Sequence, residues 1–491
     1  MPAVYRDGSL SIMFTSLMLC FAVLMSPTEI PVGKPRIAMP DLVRSWSWLD
    51  QSMAGRDLEL EERRDLSRRL DDVTMLFFRN DIGGVARLMD GLSLEMALQE
   101  RKEEVHRIAA ALLIKLQDTQ DGPSLKAHWR YEPPSLAEPL SMTLVLSPTT
   151  GEPHEVALRI IPGQEGCSIE LDESHLASLP PKATMDVSLR LADGTVVPQG
   201  RWERTAEPFS VSRTQLLSAL KAIDTSEAHE VFRSRAARLI DRLPPMDITG
   251  HVLDRNQLRA ELTEELDVIA RGEDPYVNRA GDIWYEVTSG STRMPVRLYV
   301  PEKVIEQGRP VPLLIALHGA GGNEHFFMDG CGDGAIAELA DRYGFIVVSP
   351  STYVMASSME PLETLVSVLS SRYAIDQDRI YLLGHSLGGM TAMGLASARP
   401  EMIDGIVAIA GGAPFPKKTE FPPVLAYAAE RDFIVSGDMI ESSAEAASAA
   451  GAPVTPRRPD GTGHLTIVID VLPESVQWLM DLPHDGSAGS P

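Results

Sequence analysis

The sequence predicts an α/β protein whose C-terminal half forms a doubly wound, mostly parallel sheet. Apolar runs of about five residues recur there and alternate with segments long enough for helices, such as 334–343 and 362–372. Continuous apolar runs are typical of parallel strands buried on both faces, and their alternation with helices favours βαβ connections. The pentapeptide GHSLG at 384–388 also follows one such run directly and precedes a helical segment.

The first residues predict a signal peptide or N-terminal anchor over 1–26. Residues 12–25 are apolar apart from Thr15 and Ser16, a length that suits the apolar core of a signal peptide better than a membrane span. Because no Ala-x-Ala cleavage site follows, a non-cleaved anchor or a mis-set start codon is the alternative. We expect a secreted, periplasmic or membrane-anchored protein, or a cytoplasmic one if the segment is not a signal.

Two different patterns divide the next part of the chain. Residues 38–122 predict a helical region, with apolar residues at helical spacing between 93 and 116, and its expected role is packing. Residues 125–213 show short alternating strands with the hairpin signal Asp193-Gly194, which predicts a small β-sandwich.

Three further segments complete the predicted organisation. Residues 214–275 return to helical patterns and predict a linker region packed on a neighbouring domain. Residues 276–482 hold the α/β pattern, and residues 483–491 predict a disordered polar tail.

A glycine-rich turn follows the third predicted strand of the α/β domain. The apolar run 313–317 leads into HGAGG at 318–322. A turn at this place presents a backbone N–H to a developing oxyanion, and the residue after a nucleophilic serine presents the second. We predict that the amides of Ala320 and Leu387 form an oxyanion hole, with Gly321 as the alternative to Ala320.

The pentapeptide at 384–388 places Ser386 between a strand and a helix. Small residues on both sides let the backbone reverse sharply, so the serine hydroxyl is held exposed at the carboxyl edge of the sheet. A serine hydroxyl is a weak nucleophile at neutral pH and needs a neighbouring base. Ser386 is therefore the predicted nucleophile.

An acid and a base follow Ser386 in the order that this arrangement requires. Asp432 lies just past the apolar run 423–428, and His464 lies in a glycine-rich loop. His484, the other downstream histidine, falls in the predicted tail, so His464 is the predicted base. Asp432 is the predicted acid that orients the imidazole.

These motifs resemble those of the α/β-hydrolase superfamily, over about residues 280–480. HGAGG at 318–322 and GHSLGGM at 384–390 are similar to a group that contains feruloyl esterases, polyhydroxyalkanoate depolymerases and prolyl-oligopeptidase-type hydrolases. The resemblance implies an eight-stranded, mostly parallel sheet and hydrolysis through an acyl-enzyme. Some bacterial esterases of this kind carry an immunoglobulin-like domain ahead of the hydrolase. One departure is Ala429, where the family strand usually ends in Gly.

Composition excludes some partners. The 491 residues carry a formal net charge of −24, so a nucleic-acid backbone would be repelled. The three cysteines and the histidines show no metal-ligand spacing, so neither a metal nor a cofactor is expected. A membrane is an expected partner only through the N-terminal segment, and the oligomeric state is left open.

The expected function is a serine carboxylic-ester hydrolase acting on short-chain or aromatic acyl esters, small or linked to a polymer. Phe326, Phe327, Tyr353 and His385 are the predicted substrate-binding residues, because they lie near the predicted oxyanion turn and elbow. Only about a dozen residues separate the strands around 409 and 423, too few for a helical cap, so we expect an open site unless the N-terminal domains cover it. The alternatives are a prolyl-oligopeptidase-type peptidase and a non-catalytic binding protein on the same fold.

Overall fold

The computed structural model describes most of the chain. The described residues are 28–54, 56–98, 103–119, 122–163, 166–171, 176, 179–223, 228–244 and 247–483. The predicted signal segment, and the predicted tail beyond Pro483, lie outside these residues. No helix within the described ranges combines the length and the apolarity that a membrane crossing requires.

The N-terminal half combines helices with one sheet. Its helices are α1 Met39–Met53, α2 Leu60–Phe78, α3 Ile82–Leu98 and α4 Glu104–Ala111. Its strands are β1 Thr28–Gly33, β2 Leu112–Thr119, β3 Gly122–Trp129, β4 Leu140–Pro148, β5 His154–Gly163, β6 Gly166–Leu171, β7 Ala183–Arg190 and β8 Val196–Arg204.

These strands form a single sheet in the order β2-β3-β1-β6-β5-β4-β7-β8. Strand β5 shows why one face is buried: Val156, Leu158 and Ile160 point inward, while the residues between them are exposed. The sheet curls so that its end strands meet, and the Ile114 amide of β2 donates to the Gln199 side chain of β8 at 2.9 Å. Helices α1 to α4 share one apolar core with this sheet.

Two predictions for this half need correction. The predicted helical region extended to 122, but the chain changes to strand β2 at Leu112. The run 108–114 is apolar and short, and periodicity alone does not separate a buried strand from a helix in such a run. The predicted sandwich over 125–213 is instead part of one hydrogen-bonded sheet that also includes β1, β2 and β3. Long-range pairings, such as Val32 with Ala127, create that sheet.

The C-terminal half alternates strands and helices. Four helices precede it: α5 Phe209–Lys221, α6 Ala228–Ala236, α7 Thr249–Val252 and α8 Arg255–Ala270. Its strands are β9 Gly281–Ser289, β10 Thr292–Val300, β11 Val311–Leu317, β12 Ile346–Pro350, β13 Ile375–His385, β14 Gly405–Ile409, β15 Val424–Tyr427 and β16 Val454–Arg457. Its helices are α9 Glu302–Gln307, α10 Phe326–Asp329, α11 Ala335–Tyr343, α12 Thr352–Met355, α13 Glu360–Arg372, α14 Leu387–Ala398, α15 Gly437–Ala449 and α16 Thr466–Met480.

The second sheet has eight strands in the order β16-β15-β14-β13-β11-β12-β10-β9. Strand β10 is antiparallel to both of its neighbours, and the six strands β11 to β16 run parallel to one another. In the sheet, β11 lies between β12 and β13, so the carboxyl ends of β11 and β13 are side by side. Ligands of doubly wound sheets bind at the carboxyl ends of the strands, at the point where the strand order reverses.

Helices cover both faces of this sheet. One face packs against helices that include α6 and α8, with Phe232 and Leu262 in the same core as Ile283 and Leu298. The segment before residue 276 therefore packs on the C-terminal domain. The other face packs against helices that include α11 and α16, through a core that contains Val468.

A buried ionic cluster joins helices α1 and α3 to the first sheet. The Asp90 carboxylate, which is fully buried, accepts hydrogen bonds from Ser45 at 2.7 Å and Tyr131 at 2.9 Å, and it pairs with Arg44 and Arg130. Burial lowers the pKa of Arg44 to about 10. Removing the carboxylate would leave two buried guanidinium groups without their anionic partner.

We expect Asp90→Ala to lower the free energy of unfolding by about 3–5 kcal/mol, because it breaks a buried ion pair from one side. Asp186→Ala removes an exposed partner of Arg201 and should change stability little. Urea denaturation followed by tryptophan fluorescence measures both. Equal unfolding midpoints for the two variants would contradict this account of the cluster.

Candidate active site

Ser386 lies at a strained reversal between β13 and α14. Its φ is 53° and its ψ is −114°, in a region that non-glycine residues rarely occupy. A side chain on Gly384 would overlap the Gly388 backbone, and one on Gly388 would overlap the Leu317 carbonyl. The glycines are thus required by close backbone approach, and the reversal leaves Ser386 partly exposed.

Ser386, His464 and Asp432 form a hydrogen-bonded chain. The His464 Nε2 atom is 3.1 Å from Ser386 Oγ, and its Nδ1 atom is 2.7 Å from Asp432 Oδ2. The Asp432 side chain is fully buried, and its Oδ1 accepts the amides of Ile434 at 2.8 Å and Val435 at 2.7 Å. The structure therefore brings together the three residues singled out from the sequence, in the geometry of a nucleophile, a base and an orienting acid.

The glycine-rich turn after β11 lies against this serine. A Cβ on Gly319 would be 3.3 Å from Ser386 Cβ. The Gly321 amide donates to the Tyr353 hydroxyl at 2.6 Å, so that amide is already used. This favours Ala320 over Gly321 as the donor from the turn. Leu387 is the first residue of α14, where helix amides have no intrahelical acceptor.

Two buried histidines brace the site. The His318 Nε2 atom accepts the Thr352 amide at 3.0 Å, so its Nδ1–H donates to the Gly319 carbonyl at 2.9 Å. His385 Nε2 donates to the His464 carbonyl at 2.8 Å. Burial lowers the pKa of His318, and burial together with the nearby His464 lowers the pKa of His385 well below its usual range. Both rings are therefore neutral supports.

The four predicted substrate-binding residues lie in three different places. Phe326 and His385 line the cavity at Ser386, with their rings stacked at 5.5 Å between centroids. Tyr353 is half-exposed and holds Gly321. Phe327 is fully buried in the sheet core, so its prediction as a substrate contact is corrected. Successive residues of a helix point about 100° apart, so only one of the two phenylalanines of α10 faces the cavity.

Helix α2 covers the loops that carry Asp432 and His464. The Asp71 carboxylate accepts the His464 amide at 3.0 Å and the Phe433 amide at 3.1 Å. Ser67 donates to the Gly461 carbonyl at 2.7 Å and lies 2.7 Å from the Thr466 hydroxyl. The N-terminal half therefore contacts the site directly, and a role limited to packing does not describe it.

Two more contacts fix the same interface. Arg64 pairs with Glu430 through two hydrogen bonds of 3.1 and 2.6 Å. The Asp50 carboxylate of α1 accepts the amides of Gly332 at 3.0 Å and Asp333 at 2.7 Å. Residues of the N-terminal half and of the C-terminal half together line a cavity of about 1950 Å³ that reaches Ser386 and His464.

The sequence analysis did not predict a role for Asp71 and Ser67, although their spacing on α2 indicates buried partners. The buried face of α2 carries Leu66, Leu70 and Val73, and the two polar residues lie on that same face, four positions apart. Polar groups on an apolar stripe need buried partners. The pattern indicates such partners without naming them.

The C-terminal domain has the α/β-hydrolase fold. Residues 312–434 match the family model described as alpha/beta hydrolase fold. The chain is similar to feruloyl esterase B of Neurospora crassa, at 28% identity over 26% of this chain and 46% of that protein. It is also similar to feruloyl esterase B of Thermothelomyces thermophilus, at 25% identity over 26% of this chain and 47% of that protein. The chain spans about half the length of these curated relatives.

Solved structures give low similarity. A ferulic acid esterase aligns with a TM-score of 0.35 at 14% identity, over 40% of this chain and 97% of that chain. A thermostable esterase aligns with a TM-score of 0.36 at 14% identity, over 76% of this chain and 99% of that chain. The resemblance to α/β-hydrolase esterases therefore rests on the family model, the curated relatives and the sheet order.

The elbow gives a matched pair of substitutions on helix α14. Gly388→Ala forces a methyl group into the Leu317 carbonyl, so Ser386 should shift and ester hydrolysis should fall by roughly 100-fold or more. Gly394→Ala meets open space on an exposed helical turn, so it should leave activity unchanged and add about 0.5–1 kcal/mol of stability. Nitrophenyl ester assays and thermal melts measure these effects, and full activity of Gly388→Ala would contradict the steric argument.

Proposed function

We propose that this protein is a serine carboxylic-ester hydrolase that acts through an acyl-enzyme. The observation that carries the proposal is the hydrogen-bonded chain from Asp432 through His464 to Ser386, whose hydroxyl faces the cavity. A hydroxyl, an imidazole and a buried carboxylate in this order are the groups that nucleophilic acyl transfer requires.

In the proposed reaction, His464 Nε2 takes the proton from Ser386 Oγ as this oxygen attacks the ester carbonyl carbon. The bond to the alcohol then breaks, and His464 returns the proton to the leaving oxygen. In the second half, His464 takes a proton from water, whose oxygen attacks the acyl-enzyme. The carboxylic acid leaves, and the proton returns to Ser386 Oγ.

Asp432 and two amides stabilise the charges that form during this reaction. Asp432 accepts the Nδ1–H of His464, which fixes the tautomer and stabilises the imidazolium. The amides of Ala320 and Leu387 donate to the oxyanion of the tetrahedral intermediate. Leu387 adds the positive end of the α14 dipole.

The aromatic lining favours aromatic or short acyl groups. Trp46 and Phe77 from the N-terminal half and Phe326 from the C-terminal half line the cavity. The similar curated proteins named feruloyl esterase B support an aromatic acyl group for this chain. The size of the cavity supports a bulky or polymer-linked alcohol.

Ser386→Ala should lower hydrolysis of nitrophenyl acetate and butyrate by roughly 10⁴-fold or more, because it removes the nucleophile. Ser397→Ala, on the same helix, should retain wild-type rates. Equal rates for Ser386→Ala and the wild type would refute the proposal. Faster turnover of aminoacyl nitroanilides than of nitrophenyl esters would instead favour a peptidase, and turnover of neither would favour a binding protein.

Phe77→Ala should lower kcat/KM for an aromatic acyl ester by about 10-fold or more and change that for acetate little, because only the larger acyl group reaches this ring. The ring lies against the oxyanion turn, where a Cβ on Gly321 would be 2.7 Å from it. Met75→Ala, on the exposed side of α2, is the control. An equal loss on both esters would show that Phe77 does not select the acyl group.

A further inference from the structure

A carboxylate of helix α2 bridges two loops of the C-terminal domain. Asp71 is only 1% exposed. Its Oδ1 atom accepts the amide of His464 at 3.0 Å, and its Oδ2 atom accepts the amide of Phe433 at 3.1 Å. One of these amides belongs to the proposed base, and the other belongs to the residue after the proposed acid. One carboxylate oxygen therefore holds the loop of His464, and the other holds the loop of Asp432.

We propose that Asp71 is a positioning residue of the active site, which fixes the loop of Asp432 and the loop of His464 relative to each other. The proposal rests on the serine hydrolase function inferred above. Asp71 touches neither Ser386 nor the cavity, so it acts only through the backbone of the two loops. An error of about 1 Å in the placement of a catalytic group costs on the order of 100-fold in rate.

Other contacts keep α2 on the C-terminal domain. Ser67 binds the Gly461 loop, and Arg64 binds Glu430. Arg63 pairs with Asp470 at the surface. These contacts hold α2 on the C-terminal domain without Asp71. The specific contribution of Asp71 is therefore to link the amides of Phe433 and His464.

Burial of the Asp71 carboxylate does not favour folding stability at neutral pH. Burial raises the pKa of its carboxyl to about 6, against the two amides that lower it, and the neighbouring Asp432 raises it further. A group whose pKa is raised on folding contributes stability below its unfolded value near 3.8, and this contribution is lost as the pH rises through about 6. At neutral pH the fold therefore carries an ionised carboxylate in an unfavourable place.

The test compares Asp71→Asn with Asp72→Asn in the full-length chain. Asparagine is nearly isosteric, but its amide end donates, so one of the two backbone amides loses its acceptor. We expect kcat for nitrophenyl butyrate to fall by about 10- to 100-fold with KM within about twofold, because substrate contacts are intact. Asp72 is exposed and pairs with Arg68 at the surface, so Asp72→Asn should match the wild type.

A rescue experiment separates positioning from folding. Asp71→Ala leaves room for a small carboxylate between the two amides, so added formate should restore part of the lost kcat. The Asp72→Ala variant should not respond to formate. Circular dichroism melts of every variant accompany the assays.

Three results would overturn the proposal. If Asp71→Asn keeps the kcat of Asp72→Asn while Ser386→Ala is inactive, Asp71 has no positioning role and the proposed function stands. If Asp71→Asn and Asp71→Ala are unfolded at the assay temperature, Asp71 belongs to the stability of the interface. If Ser386→Ala matches the wild type, the proposed function fails, and the role of Asp71 fails with it.

Discussion

The close passage of the chain at Ser386 is the constraint on which the site depends. The β13 strand must end, reverse and start α14 within one residue, so Ser386 takes a positive φ, and Gly384 and Gly388, two positions before and after it, must be glycine. The reversal seats the first amides of α14 beside the turn after β11. The strand order places the loops after β15 and β16, which carry Asp432 and His464, at the same edge of the sheet as Ser386.

The N-terminal half completes what the sheet begins. Helices α1 and α2 reach the C-terminal domain through carboxylates that accept backbone amides, through Ser67 and through ion pairs. Such contacts fix loop backbones more strictly than apolar packing does, because hydrogen bonds are directional. The cavity is consequently shaped by two parts of the chain that are far apart in sequence. A C-terminal domain without an inserted cap still has a covered site.

Features that depend on a short stretch of sequence could be predicted, and features that depend on contacts in the assembled fold could not. The elbow, the glycine-rich turn and the order of Ser386, Asp432 and His464 are local motifs tied to strand ends, so they could be read directly. Strand β2 was misread because a short buried apolar run fits either secondary structure. The orientation of Phe327 depends on the rotation of a four-residue helix, which no pattern fixes.

The contact between Asp71 and His464 lay beyond reach for a different reason. The two residues are 393 positions apart, and their meeting depends on how the curled N-terminal sheet positions α2. A polar pair on an apolar helix face shows that a partner exists, but only the assembled fold shows which one. The extent of the N-terminal sheet could not be predicted for the same reason. Strand β1 joins the sheet through pairings with β3 and β6, which are distant in sequence.

The central claim is that Ser386 is the activated nucleophile of an acyl-transfer site. The most direct measurement is labelling of the full-length protein with a fluorophosphonate, followed by peptide mass spectrometry to locate the adduct. The account predicts one phosphonyl group per chain, on Ser386, with labelling strongly slowed in His464→Ala. An adduct on a different serine, or no adduct on the folded protein, would contradict it.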